Sequence, residues 1–530
     1  MKKSPVATVM LVTLTVACFA YLVILFLQLF GSADYIALNN ATKQVIVAIA
    51  LAINLVCLLF LWIPSFRDIS YLILYAFNRK KFRAYYEQMS QKKLTIDSKV
   101  LVLYCYYNEF DAKALKKSIK QSYHNYEFVL LDDSTKPEVR AEIDKVVEEL
   151  KAKGHRINVV RRDNRKGFKG GAINQYLRTR DDFEYFAVAD SDEILCYEFI
   201  EQMLKYFQDN SRVAGVQCRH EMRKAYTKFD EYMSVSMRPN MECFFPTRNK
   251  YGQITLLGHG MMLSKAAFWS VGGFPELVVE DTALSIRLIT AGYQLQYAYN
   301  VVCEEAYPVD FVSYKKREMR WTQGDIEIAK NKILKNAILS KDVSIVSKIE
   351  LLLQFRIGKV LGPFGGFVIL VVTILMWALG FSSFKFGLGV MLFGLLSFVA
   401  LLIAQIIFNI GKESFFKIIV TSAIVVLCCS CLAPAYVGAI IVALCGKKAH
   451  FTVTPKHSGV KYTVWDGIRY NWITLLSMAV ILAATWCICG NPTPAVVMFL
   501  YACASVLITV FSNFRTKEQR LALKKTKVNN

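Results

Sequence analysis

Three acidic pairs in this sequence stand where carboxylates commonly do chemistry. Asp132-Asp133-Ser134 and Asp190-Ser191-Asp192 each close a short apolar run, and Glu280-Asp281 follows Gly272-Gly273-Phe274-Pro275 and opens a helical stretch, Thr282–Ala291. Carboxylates at i and i+2 beyond a strand can meet one hard cation, and Mg²⁺ or Mn²⁺ takes oxygen ligands shared with a substrate's phosphates. Asp190 and Asp192 are the candidate ligands. Turns and helix caps use the same residue types, so one pair alone says little. Asp281 can be a helix cap, an oriented general base, or both. Farther on, Lys316-Arg317-Glu318-Met319-Arg320-Trp321 sets guanidinium groups beside an indole. Such a set can hold a diphosphate in bidentate fashion or anchor to anionic lipid.

These residues need a frame. Val100–Cys105, Phe128–Leu131, Ile157–Val160 and Tyr185–Ala189 are short apolar runs separated by helical stretches, Asp111–His124 and Lys136–Gly154 among them. Runs apolar on both faces, alternating with helices, predict a parallel sheet covered on both sides. Ligands collect beyond the carboxyl ends of such strands, and two of the acidic pairs lie there.

Around this segment the chain is apolar. Of 530 residues, 54% are hydrophobic and 20% charged, and the mean hydropathy is +0.33. That excludes a disordered, collagenous or small disulfide-rich protein and indicates an integral membrane protein with a large polar part. Hydrophobic runs cover about Pro5–Phe30, Gln44–Pro64, Leu361–Phe381, Phe386–Ile410, Phe415–Leu444, Trp472–Gly490 and Pro494–Phe511. Lys/Arg-rich flanks place the middle of the chain on the cytoplasmic side. Orientation is consistent if Phe415–Leu444, broken by Pro434, is a re-entrant or interface pair, leaving six spans. Arg356, Lys359 and Gln405 are then candidates for a polar channel lining or for interhelical bonds. The net charge of +22 lies in membrane-flanking segments, so nucleic acid is not an expected partner. The 14 cysteines show no zinc spacing and read as thiols of a reducing compartment.

The order of motifs resembles the membrane-embedded processive β-glycosyltransferases of family 2, the cellulose synthase-like group, over about residues 98 to 470. Cys105-Tyr106-Tyr107-Asn108-Glu109 resembles that family's Pro-Thr-Tyr-Asn-Glu, and Asp132-Asp133-Ser134 its first acidic motif. Lys169-Gly170-Gly171-Ala172-Ile173-Asn174 is similar to its Lys-Ala-Gly-Asn-Leu-Asn, and Asp190-Ser191-Asp192 to its metal-binding Asp-x-Asp. Glu280-Asp281 is similar to Thr-Glu-Asp, with Val279 in place of Thr. Arg317-Glu318-Met319-Arg320-Trp321 resembles Gln-x-x-Arg-Trp, with Arg317 in place of Gln. Phe451-Thr452-Val453-Thr454-Pro455-Lys456 resembles the gating loop that closes over the donor.

The resemblance implies an α/β cytosolic domain of GT-A type, a Rossmann-like mixed sheet, inserted into an α-helical bundle of about six spans plus interface helices. It implies a plasma-membrane, multi-pass protein that polymerises sugar from a UDP-sugar, glucose first, into a β-glucan-type surface or capsular polysaccharide and secretes it. The short architecture looks bacterial. Asp281, with Glu280, would be catalytic. Tyr106, Glu109, Asp132, Asp133, Lys169, Asp190, Arg317, Arg320, Thr454 and Lys456 would hold the nucleotide, and Trp321, Gly258 and His259 the growing acceptor. Alternatives are transfer of a single sugar to a lipid, or a chitin- or hyaluronan-type synthase using UDP-N-acetylglucosamine; a transporter or receptor with a nucleotide-binding domain leaves the third acidic pair unexplained. The expected division is 1–66 membrane hairpin, 67–97 basic interfacial linker, 98–325 catalytic domain, 326–360 interface helices, 361–446 membrane helices, 447–470 gating loop, 471–512 membrane hairpin and 513–530 basic tail.

Overall fold

The computed structural model describes residues 41–354, 401–449, 460–490 and 493–520, with scattered positions in 5–23 and 368–375. Residues 451–456, with Thr454 and Lys456, and also Arg356 and Lys359, lie outside the described residues.

The four expected strands are present: β1 (Val100–Tyr106), β2 (Tyr126–Asp132), β3 (Ile157–Val160) and β4 (Tyr185–Asp190). Four more complete the sheet: β5 (Ile194–Leu195), β6 (Val213–Met222), β7 (Met261–Ser264) and β8 (Gln294–Glu305). The order is β3-β2-β1-β4-β7-β6-β8-β5. The first four strands are parallel, whereas β7 runs antiparallel to both β4 and β6. The sheet is therefore the mixed, GT-A-like one, and not the all-parallel sheet that the four apolar runs alone would give.

β1 shows why its sequence reads as continuously apolar. Leu101 and Leu103 enter one core layer and Val100, Val102 and Tyr104 the opposite one, the period-2 alternation of a strand covered on both faces. Burying each large apolar side chain contributes about 1.5–3 kcal/mol, and Phe128, Phe186 and Phe268 are fully buried. Register then aligns the chemistry: Tyr106 pairs with Asp132 on one side of β1 and Cys105 with Asp190 on the other, so both acidic pairs emerge at one level of one sheet edge.

α1 (Ala41–Gln91) is a single helix of 51 residues. It runs from the second apolar run through Pro64 into the basic stretch, so the expected boundary at residue 66 falls inside it. α2 (Phe168–Leu177) and α3 (Glu280–Thr290) carry two of the motifs, and α4 (Phe311–Lys330) the Arg-Trp motif, crossing the expected boundary at 325. The run Phe415–Leu444 consists of α5 (Phe415–Cys431) and α6 (Ala433–Leu444), broken at Leu432. α7 (Val464–Cys489) and α8 (Thr493–Phe511) follow. Two described stretches, Phe415–Leu444 and Val464–Ile488, are long and apolar enough to cross a membrane. Every described cysteine is a free thiol.

One apolar cluster joins the sheet domain to these helices: Phe229, Phe311 and Tyr314 pack with Ile424, Cys428, Tyr436 and Ile508. Gln405 is wholly buried, donates to Ser236 O at 3.0 Å and accepts from Asn409 at 2.9 Å. It is an interhelical anchor.

Candidate active site

The first turn of α2 is the hub of the site. It begins after Gly167, whose φ of 71° is left-handed, and packs so tightly that a Cβ on Gly171 would stand 2.0 Å from Lys166 O. Only glycine permits that turn. On one side Phe168 O accepts from Arg162 at 2.7 Å, and Arg162 grips Asp133 with two bonds of 2.8 and 2.6 Å. On the other, the Lys169 ammonium meets Asp190 at 2.5 Å and donates to Gly258 O at 2.8 Å. A Cβ on Gly170 would lie 3.1 Å from Cγ of Glu280. One turn therefore touches partners or members of all three acidic pairs.

Asp132 is fixed by Arg161 at 2.7 Å and by the amide of Ser134 at 2.9 Å. Asp192 accepts from the amide of Ala306 at 2.8 Å, which places its carboxylate at the end of β8. Asp281 lies inside the first turn of α3, after the N-cap residue Val279, so it is not the helix cap; its Oδ1 accepts from Thr282 N at 2.7 Å. Its Oδ2 also faces the 258–260 loop, 2.9 Å from where a Cβ on Gly258 would be. Burial and then the charge of Asp281 push Glu280 up to about 8. Burial opposes the charge on Lys169, yet Asp190 and its neighbours raise it above the usual lysine value.

α4 brings the cations. Burial and the neighbouring Arg317 lower Arg320, while Glu280, Asp190 and Asp281 act the other way, so its guanidinium belongs to the same electrostatic field. Arg317 lies over the Trp321 ring, 4.5 Å from its centroid. Buried Glu318 accepts from Tyr436 at 3.0 Å and so ties this helix to α6.

His259 is part of a compact charged group. Its ring stacks on His220 at 4.4 Å between centroids, with Glu193 at 3.3 Å on one nitrogen and Glu305 at 3.3 Å on the other. Burial opposes its charge, but Glu193 and Glu305 carry it up to about 9, and Glu305 falls to about 2 despite burial because His220 and His259 flank it. Glu193 also accepts from the amides of Asp190 and Gly260, at 3.3 and 3.0 Å. His259 thus holds the loop beside the acidic residues.

Tyr106 is not at the surface of the site. Its ring is buried against Tyr104 and Phe110 and its hydroxyl has no hydrogen-bond partner among the described residues. Tyr107 is the less buried of the two, with the Arg165 guanidinium 3.3 Å above its ring. Asn108, at φ 56°, accepts from Thr135 N and Lys136 N and clamps the 132–136 turn; Glu109 follows it, partly buried. Tyr107, Arg161, Arg162, Arg165, Glu193 and His220 were not singled out from sequence. The signal for the arginines was available, since Arg161-Arg162 directly follows β3 at the same sheet edge.

Asp190 and Asp192 offer only carboxylate oxygens, a donor set that suits a hard divalent cation whose other ligands come from a diphosphate. Among the described residues, the tighter groupings of metal-ligating atoms are Glu193 with His220 and His259, and Glu193 with Cys218 and Cys303.

Residues 185–442 match the family model described as glycosyl transferase family group 2. Glucomannan 4-beta-mannosyltransferase 1 of Cyamopsis tetragonoloba is 24% identical over 301 residues, 54% of this chain and 56% of that protein. Glucomannan 4-beta-mannosyltransferase 7 of Arabidopsis thaliana is 26% identical over 361 residues, 62% of this chain and 63% of that protein. The chain spans about half the length of the curated relatives it matches. Among solved structures, the mannosyltransferase of Pyrobaculum calidifontis in complex with GDP-Man and Mn²⁺ aligns with a TM-score of 0.41 and 17% identity, covering 66% of this chain and 99% of that one.

Proposed function

We propose that the family 2 glycosyltransferase segment at residues 185–442 is the core of an inverting, processive polysaccharide synthase, which transfers a hexose from a nucleotide diphosphate sugar to the end of a β-linked chain. The observation that carries this reading is the approach of Asp281 to the backbone of Gly258, whose carbonyl accepts from Lys169 on α2.

Asp281 takes the proton of the acceptor hydroxyl as its oxygen bonds to the anomeric carbon and the bond from that carbon to the diphosphate breaks. General-base assistance of this kind is worth about 10²–10⁴-fold. Single displacement from the opposite face turns an α-linked donor into a β-linked product. Arg320 and Lys169 supply positive charge toward the leaving diphosphate, and fixed charges in a partly buried site need no reorganisation as it forms. Asp190 and Asp192 would hold Mg²⁺ or Mn²⁺, which when bound neutralises the diphosphate. Trp321, oriented by Arg317, offers a face for the acceptor sugar, and Tyr107 with Arg165 is suited to the nucleoside base. Thr454 and Lys456 are proposed to close over the donor.

The sequence favours UDP-glucose as donor, while the names of the relatives favour a mannosyl donor. Both fit a hexosyl site, and a panel of UDP-glucose, UDP-N-acetylglucosamine and GDP-mannose, read by nucleoside diphosphate release and product linkage, decides between them. Membrane placement and secretion of the product are supported by the two apolar stretches and by the bond between Glu318 on α4 and Tyr436 on α6, which joins the acceptor side to a membrane-type helix. A polar glycan needs such a lined path, because bare hydrocarbon offers it no hydrogen bonds.

A further inference from the structure

A crevice of about 1130 Å³ opens beside α1, away from the three acidic pairs, with Glu87 and Glu242 in its lining. It exceeds the roughly 300–1,000 Å³ of ordinary small-ligand pockets. One wall is a single face of α1, where Leu72, Tyr75, Arg79 and Arg83 recur at helical spacing. The opposite wall is Ile407 and Phe408, at the end of the helix over 401–409. Leu72 and Phe408 share one apolar cluster, and Ile407 is 55% exposed.

Along α1 the lining passes from Leu72 and Tyr75 to Arg79 and Arg83, with Phe82, Tyr86 and Glu87 also facing the crevice. From Leu72 to Arg79 is about 10 Å along the helix axis. The apolar end lies level with Ile407 and Phe408, just before the charged turn at Lys412, and the arginines lie beyond it. Lys412 is already engaged by Glu242 at 2.8 Å. Arg79 and Arg83 are exposed and form no ion pair with the described residues. Two unpaired guanidinium groups above an apolar slot complement a phosphodiester with acyl chains below it.

We propose that this crevice binds an anionic phospholipid of the cytoplasmic leaflet, with its phosphate on Arg79 and Arg83 and its chains against Leu72, Ile407 and Phe408. The inference rests on the membrane placement above, and not on the transfer chemistry.

The test is native mass spectrometry and thermal shift on the purified full chain, titrated with phosphatidylglycerol, phosphatidylcholine or inorganic phosphate. Phosphatidylglycerol is expected to remain bound and to raise the melting temperature, with the other two far weaker. Arg79→Ala with Arg83→Ala should weaken that binding at least about 10-fold. Lys80→Ala with Lys81→Ala removes equal charge from the same helix outside the crevice and should leave it unchanged. Equal losses in the two double variants, equal binding of the two lipids, or equal protection by inorganic phosphate would each overturn the proposal. Donor binding measured on the same samples separates the two readings: loss of lipid with donor retained condemns only the lipid site.

Discussion

Gly258 lies so close against Asp281 that a Cβ on the glycine would stand 2.9 Å from Oδ2 of the carboxylate. The backbone there is also left-handed, at φ 89°, and its carbonyl takes the Lys169 ammonium that binds Asp190. One residue without a side chain therefore meets both Asp281, the proposed base, and the Lys169 ammonium beside Asp190. Gly258→Ala is expected to cost about 1–2 kcal/mol in backbone strain and to displace Asp281, lowering kcat roughly 10²-fold. Steady-state kinetics alongside a melting curve checks both effects; an alanine variant with full kcat would show that the loop is not against the reacting atoms.

Asp281→Asn keeps the side chain's shape and an oxygen for Thr282 N but removes the proposed base. kcat should fall by about 10²–10⁴-fold, with nucleotide-sugar binding retained, as read by calorimetry. Loss of binding with an equal loss of kcat would instead make Asp281 a donor-site residue.

Glu280 gives a pH signature. It is raised to about 8 from the ordinary glutamate value of 4.5. The folded protein keeps a proton that the unfolded chain releases, so this residue's contribution to stability is whole below about 4.5, declines as pH rises to about 8, and is level above. Glu280→Gln has no such proton to lose. Its melting temperature relative to the unchanged protein should therefore climb between pH 5 and pH 8, and a constant offset would contradict the assignment.

Arg162 and Asp133 form a buried, two-bond ion pair whose side chains are 6% and 8% exposed. Removing one partner strands the other charge, so Arg162→Ala should lose about 3–5 kcal/mol in denaturant titration. Arg162→Lys should recover only part of that, because an ammonium cannot make the forked contact or reach Lys166 O and Phe168 O together.

The acidic pairs were legible because β1, β2 and β4 are buried on both faces and their apolar runs stop where the carboxylates begin. Tyr106 shows where that reading ends. Two adjacent tyrosines at a strand end look alike in sequence, but Tyr106, the last residue of β1, enters the core and Tyr107, just past it, stays partly exposed. β6 and β8 escaped because their sequences mix in polar residues such as Gln217, His220 and Gln294, and β7 because it is only four residues long. The group formed by Glu193, His220, His259 and Glu305 has no sequence spacing at all, since Glu193 lies between β4 and β5, His220 in β6, His259 in the 258–260 loop and Glu305 at the end of β8. α1 continues past Pro64, and no sequence rule announced that.

The most direct test of the central claim is a product assay on the purified, membrane-reconstituted protein supplied with each nucleotide sugar and Mg²⁺ or Mn²⁺, following nucleoside diphosphate release and the length and linkage of the glycan. The expected result is one preferred donor, metal-dependent release and a long β-linked polymer, all abolished by Asp281→Asn. Release with only a single sugar added to lipid, or no release with any donor, would contradict the account.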